Sequence, residues 1–184
     1  MNSTSQNSKK SRFSLRHLAV LALLTALCVV GRLSFTWIPN FKPVTAIVLL
    51  VCFYLGLTDA LIVANLMILA TSLYLGMGYW VIEQMLAYSL LVLLYFFLMK
   101  LKPLRYPLAQ VIIAALLGMV YGFIISLFEV FLFRFSSFWA YYSAGIPFDL
   151  MSSFGNLVFM LLLIKPFIWF NQHYFDFSKK LTSK

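Results

Sequence analysis

The chain has 184 residues, of which 63% are hydrophobic and only 10% charged, against about 25% charged residues in an ordinary soluble domain. A soluble fold of this length is excluded, because a small domain leaves much of its surface facing water. The formal net charge of +9 sits on Lys and Arg at the ends of apolar runs, which points to a membrane surface and away from nucleic acid.

Residues 1–13 are rich in Ser, Asn and Lys and predict a disordered basic tail. The span 14–172 predicts the transmembrane domain, and 173–184 a basic C-terminal tail. The first apolar segment, about Leu15 to Trp37, lacks a small-residue cleavage site and is expected to remain as a helix. Pro39 and Pro43 break it. A second, short segment runs from about Val44 to Gly56. Thr58-Asp59 resembles a helix N-cap opening a third segment, from about Ala60 to Leu75. Gly76-Met77-Gly78 is a turn signal before the fourth, about Tyr79 to Met99. A basic loop with Pro103 and Pro107 leads to the fifth, about Leu108 to Phe133. The polar and aromatic stretch from Arg134 to Gly145 reads as a loop, and the sixth segment runs from about Pro147 to Phe170. The fold class is therefore an all-α integral membrane protein, a compact bundle of six transmembrane helices. Its weakest division lies between the second and third, which are shortest for the roughly 20 residues a crossing needs.

Charge orients this bundle. With both termini cytoplasmic, Lys9, Lys10, Arg12, Arg16, Lys100, Lys102, Arg105, Lys165, Lys179, Lys180 and Lys184 lie inside, and only Arg32, Lys42 and Arg134 outside. That is the excess the positive-inside rule requires.

Ionisable groups within apolar segments are costly and point to function. Glu83, Glu129 and Asp149 each fall near the outer end of a segment, and Arg32 and Lys42 are candidate partners for the two glutamates. Asp59 and Asp176 are explained by capping and solvation. Phe35, Trp37, Asn40, Trp80, Gln84, Tyr88, Trp139 and Tyr142 gather at the same level. Trp80, Gln84 and Tyr88 share one helix face, as do Asp149, Ser153 and Asn156 on the sixth segment, and Tyr121 and Glu129 on the fifth. Polar anchors beside rings line small-molecule sites, and Trp and Tyr also belt any membrane interface.

Ala19, Ala22 and Ala26 share a face of the first segment, as do Gly118, Gly122 and Ser126 on the fifth. Small residues at this spacing let helices approach closely in lipid. The glycines suit packing within the bundle, and the alanines suit either that or an external partner. Cys28 and Cys52 sit in apolar runs without metal-ligand spacing. His17 and His173 lie at cytoplasmic ends, far from the acids. No phosphate-binding loop, HExxH or GxSxG is present. The expectation is no enzyme, no cofactor and no metal, and active transport would draw its energy from another chain.

Several stretches taken in order resemble the substrate-binding S-components of energy-coupling factor (ECF) type ABC transporters. These are Ala22-xxx-Ala26, Pro39-Asn-Phe-Lys-Pro-Val-Thr-Ala46, Gly76-Met-Gly-Tyr-Trp80 running into Glu83-Gln-Met85, and Gly145-Ile-Pro-Phe-Asp149. The resemblance implies a six-helix prokaryotic plasma-membrane protein that captures a vitamin from outside. It implies two kinds of partner, a membrane scaffold (the T-component) and two cytoplasmic ATPases, with Ala19, Ala22 and Ala26 towards the scaffold. It implies an external site drawn from Arg32, Phe35, Trp37, Asn40, Lys42, Trp80, Glu83, Gln84, Tyr88, Glu129, Trp139, Tyr142, Asp149 and Asn156. The near balance of outer cations and acids, with many rings, favours a bulky neutral ligand. Cobalamin leads, ahead of pantothenate, folate, riboflavin or a queuosine precursor. A stand-alone channel or secondary transporter, or a scaffold without a ligand, are the other classes.

Overall fold

Each apolar run satisfies its own backbone by forming a helix, the arrangement hydrocarbon demands. The computed structural model describes residues 15–182, so the expected tail at 1–13 lies outside the described residues. The chain is all-helical, without strands among these residues. The helices are α1 (Leu15–Ser34), α2 (Val44–Tyr54), α3 (Leu57–Leu75), α4 (Tyr79–Leu98), α5 (Pro107–Phe133) and α6 (Phe138–Thr182). Five of them, all but α2, are long and apolar enough to cross a membrane.

The exception sits at the centre. α2 has 11 residues, a length of roughly 16 Å at 1.5 Å per residue. It packs against all five other helices, and every side chain from Val44 to Cys52 is buried. A helix that is apolar all round belongs inside a bundle. α1 shows the contrasting pattern. Leu21, Leu24, Cys28 and Arg32 face inward, whereas Ala19, Ala22 and Ala26 are exposed beside Leu18, Leu23 and Leu27.

The links explain where helices begin. Pro43 precedes α2, and its ring lies against Gly31 of α1. α3 opens directly after Gly56, whose φ of +117° favours glycine. Thr58-Asp59 is therefore not a cap. Asp59 lies in the first turn of α3 and meets His17 Nε2 at 3.0 Å, pinning the start of α1 to the start of α3. His17 is thus not remote from the acids. A second network closes the same end. Tyr95 Oη donates to Gln110 Oε1 at 3.3 Å, Gln110 Nε2 to the Arg105 carbonyl at 2.8 Å, and Arg105 Nε to the Met99 carbonyl at 2.7 Å.

α6 starts earlier than expected. Ser137 caps it, accepting from the Ala140 N–H at 3.4 Å, so the expected loop from Arg134 to Gly145 is helical from Phe138 onward. Pro147 and Pro166 lie inside the helix, as neighbours in a bundle permit. The expected tail at 173–184 continues α6 as far as Thr182. α5 and α6 meet closely at Gly118 and Gly122. A side chain on Gly118 would strike the Ser153 backbone at 2.7 Å, and one on Gly122 would strike the Asp149 carboxyl. These small residues serve packing within the bundle.

Candidate functional site

The segment from Phe35 to Pro43 does not leave the bundle as a simple loop. Phe41 packs against Gly155, Phe154 and Phe159 of α6, and Phe35 stacks edge-on to Phe41 and Phe159. Asn40, at φ +56°, donates from Nδ2 to the Phe148 carbonyl at 3.4 Å. Folded in this way, the segment and the short α2 leave a pocket above the first turn of α2.

Ten residues line that pocket: Arg32, Asn40, Lys42, Val44, Thr45, Gln84, Tyr88, Tyr121, Ser152 and Asn156. They come from α1, the 35–43 segment, α2, α4, α5 and α6. The pocket is partly open, with a volume of about 70 Å³. Arg32 is only 7% exposed. Its Nη2 donates to Gln84 Oε1 at 2.6 Å and its Nη1 to the thioether of Met67 at 3.5 Å, while Nε has no partner. Tyr88 Oη lies 3.3 Å from Thr45 Oγ1, and its ring leans on Tyr121 with centroids 5.0 Å apart. Asn156 Nδ2 donates to the Ala114 carbonyl at 3.0 Å. Lys42 makes no hydrogen bond or ion pair among the described residues.

The pocket gathers six of the expected site residues: Arg32, Asn40, Lys42, Gln84, Tyr88 and Asn156. The other eight lie elsewhere. Phe35 supports the 35–43 segment. Trp37 is 77% exposed and bonds the Ser34 carbonyl. Trp80 stands against Gly78, and Trp139 is exposed. Tyr142 stacks on Phe138. Glu129 accepts from Tyr79 Oη at 3.5 Å. Glu83 and Asp149 are buried, each with one carboxyl oxygen unpartnered. Neither glutamate pairs with Arg32 or Lys42; the guanidinium turns to an amide and a sulfur instead. The acids thus stay out of the pocket lining, which holds two cations.

Thr45 and Ser152 join the lining without having been singled out, and Tyr121, expected on one face with Glu129, reaches it without that acid. The polar face of α6 splits in two. Ser152 and Asn156 face the pocket, and Asp149 and Ser153 face the glycines of α5. For Ser152 the signal was its i, i+4 spacing from Asn156.

A family model described as a family of unknown function (DUF6580) matches residues 13–180. No curated protein and no solved structure matches the chain.

Proposed function

The chain belongs to the DUF6580 family, and we propose that it is the substrate-binding membrane subunit of an importer of the energy-coupling factor type. One observation supports this above others: a polar, two-cation pocket lies over the buried, apolar run of α2. Beneath Thr45, every α2 side chain from Ala46 to Cys52 is apolar and buried. A polar route through the bundle, which a self-sufficient channel or secondary transporter needs, has no room there. Import would then depend on a membrane scaffold and two ATPases. The exposed face of Ala19, Ala22 and Ala26 offers the scaffold a close approach.

In this account the bundle crosses the membrane six times, with α2 and the inward-folded 35–43 segment together making one crossing. Lys100, Lys102 and Arg105 mark the cytoplasmic end. Both termini are cytoplasmic, and the Arg32 pocket opens outside a prokaryotic plasma membrane. Cobalamin is not the favoured cargo. A volume of about 70 Å³ suits the head of a much smaller solute, and the chain's acids, counted as balancing the cations, lie off the pocket.

The test is uptake of labelled vitamins into proteoliposomes holding this chain with a scaffold and ATPase pair from the same cell. ATP-dependent uptake that requires this chain is expected. Uptake by the chain alone would favour a secondary transporter, and none in the full complex would remove the proposal.

A further inference from the structure

We infer that the pocket takes a small organic carboxylate, gripped by Arg32 and Lys42, an assignment that rests on the reading of this pocket as a ligand site. The charge count is local. Two cations line the pocket, no acid does, and among the described residues no ion pair neutralises either cation. Like charges held together at a partly buried site repel, and an anion between them removes that cost. Arg32 is well suited to the role. Its guanidinium is held by Gln84 and Met67, and a planar fork matches the two oxygens of a carboxylate. Lys42 adds a point charge on the 35–43 segment, on the same pocket lining as Arg32.

The rest of the lining describes the body of the solute. Asn40, Thr45, Ser152 and Asn156 supply neutral hydrogen-bonding groups, which suit hydroxyl or amide functions rather than a second charge. The buried Glu83 and Asp149 do not enter the balance. Neither lines the pocket, and neither makes an ion pair among the described residues.

The test uses the full-length protein in detergent and calorimetric titration with matched pairs that differ at the carboxylate: pantothenate against pantothenol, nicotinate against nicotinamide, and biotin against its primary amide. Inorganic phosphate, riboflavin and cobalamin complete the set. At least one acid should bind tenfold or more tightly than its neutral partner, and Lys42→Gln should erase most of that preference while the protein stays folded. Arg32→Lys, which keeps the charge and loses the fork, should weaken the acid and spare the neutral partner. Equal or tighter binding of the neutral partners, or binding of phosphate, riboflavin or cobalamin without any carboxylate, overturns the carboxylate assignment and leaves the pocket as a ligand site. Binding of nothing in the set overturns both.

Discussion

Arg32 of α1 reaches Gln84 of α4 through a 2.6 Å hydrogen bond at the edge of the pocket. The bond fixes the guanidinium without cancelling its charge, because an amide oxygen accepts but carries no negative charge of its own. Gln84→Glu should therefore separate fold from function. The new carboxylate would pair with Arg32, keep or raise the thermal midpoint, and abolish binding of an anionic solute. Gln84→Ala should instead weaken binding by about ten- to a hundredfold, in line with the roughly 1.5–3 kcal/mol carried by a hydrogen bond to a charged group. Titration calorimetry and a melting curve on each variant check both outcomes.

Binding should also depend on pH through Lys42. An anion bound beside its ammonium raises the pKa of Lys42 above its free-state value, because an opposite charge favours the charged form. Affinity is then fullest below the free-state pKa and falls as pH climbs through it, levelling off above the bound-state value. Arg32, Tyr88 and Tyr121 are the other titratable groups on the lining. Lys42→Gln should flatten the alkaline fall, and an unchanged pH profile in that variant would refute the role of Lys42.

Two glycines on α5 should differ in their tolerance of alanine. At Gly118 the added carbon meets the Ser153 backbone, which cannot move without α6, whereas at Gly122 it meets a side-chain carboxyl that can rotate. Overpacking costs about 1–3 kcal/mol. Gly118→Ala should fall at the upper end and Gly122→Ala lower, as read by unfolding in mixed micelles.

The His17–Asp59 contact holds the other end of the bundle together, with both side chains largely buried at 18% and 14% exposure. Asp59→Ala should cost about 1 kcal/mol of stability, a typical net value for one hydrogen bond. The variant should bind solute as the wild type does, because the pair lies at the opposite end from the pocket. A large loss of binding with an unchanged melting point would contradict that separation.

The alanine face of α1 points away from the core. Ala22→Arg or Ala26→Arg should leave binding intact and abolish uptake in the assembled transporter. Loss of binding by either variant would show that this face belongs to the site.

Much of the helical pattern was legible because hydrocarbon imposes long apolar runs, and the shortness of α2 was legible in Pro39, Pro43 and Gly56. The start of α3 was not. Thr58-Asp59 has the chemistry of a cap, but Gly56 supplies the turn two residues sooner. The start of α6 was hidden because its first turns are rich in aromatic and small residues and contain Pro147, which reads as a break until neighbouring helices are in place. The pocket lining draws on six of the expected site residues and leaves the exposed rings out. Trp37 and Trp139 are exposed and lie off the pocket lining. Thr45 and Ser152 were hard to single out, because a lone hydroxyl in an apolar helix usually turns back on its own backbone. Thr71 and Ser72 do so, onto the Met67 and Ile68 carbonyls. Only the folded arrangement separates the two kinds.

The central claim is that the Arg32 pocket captures a solute, and equilibrium binding of a labelled vitamin panel to the purified protein tests it most directly. One member should bind saturably at one molecule per chain, and Arg32→Ala should lose that binding with its helical content intact. A folded wild-type protein that binds none of the panel, or an Arg32→Ala variant that binds as tightly as the wild type, would contradict the account.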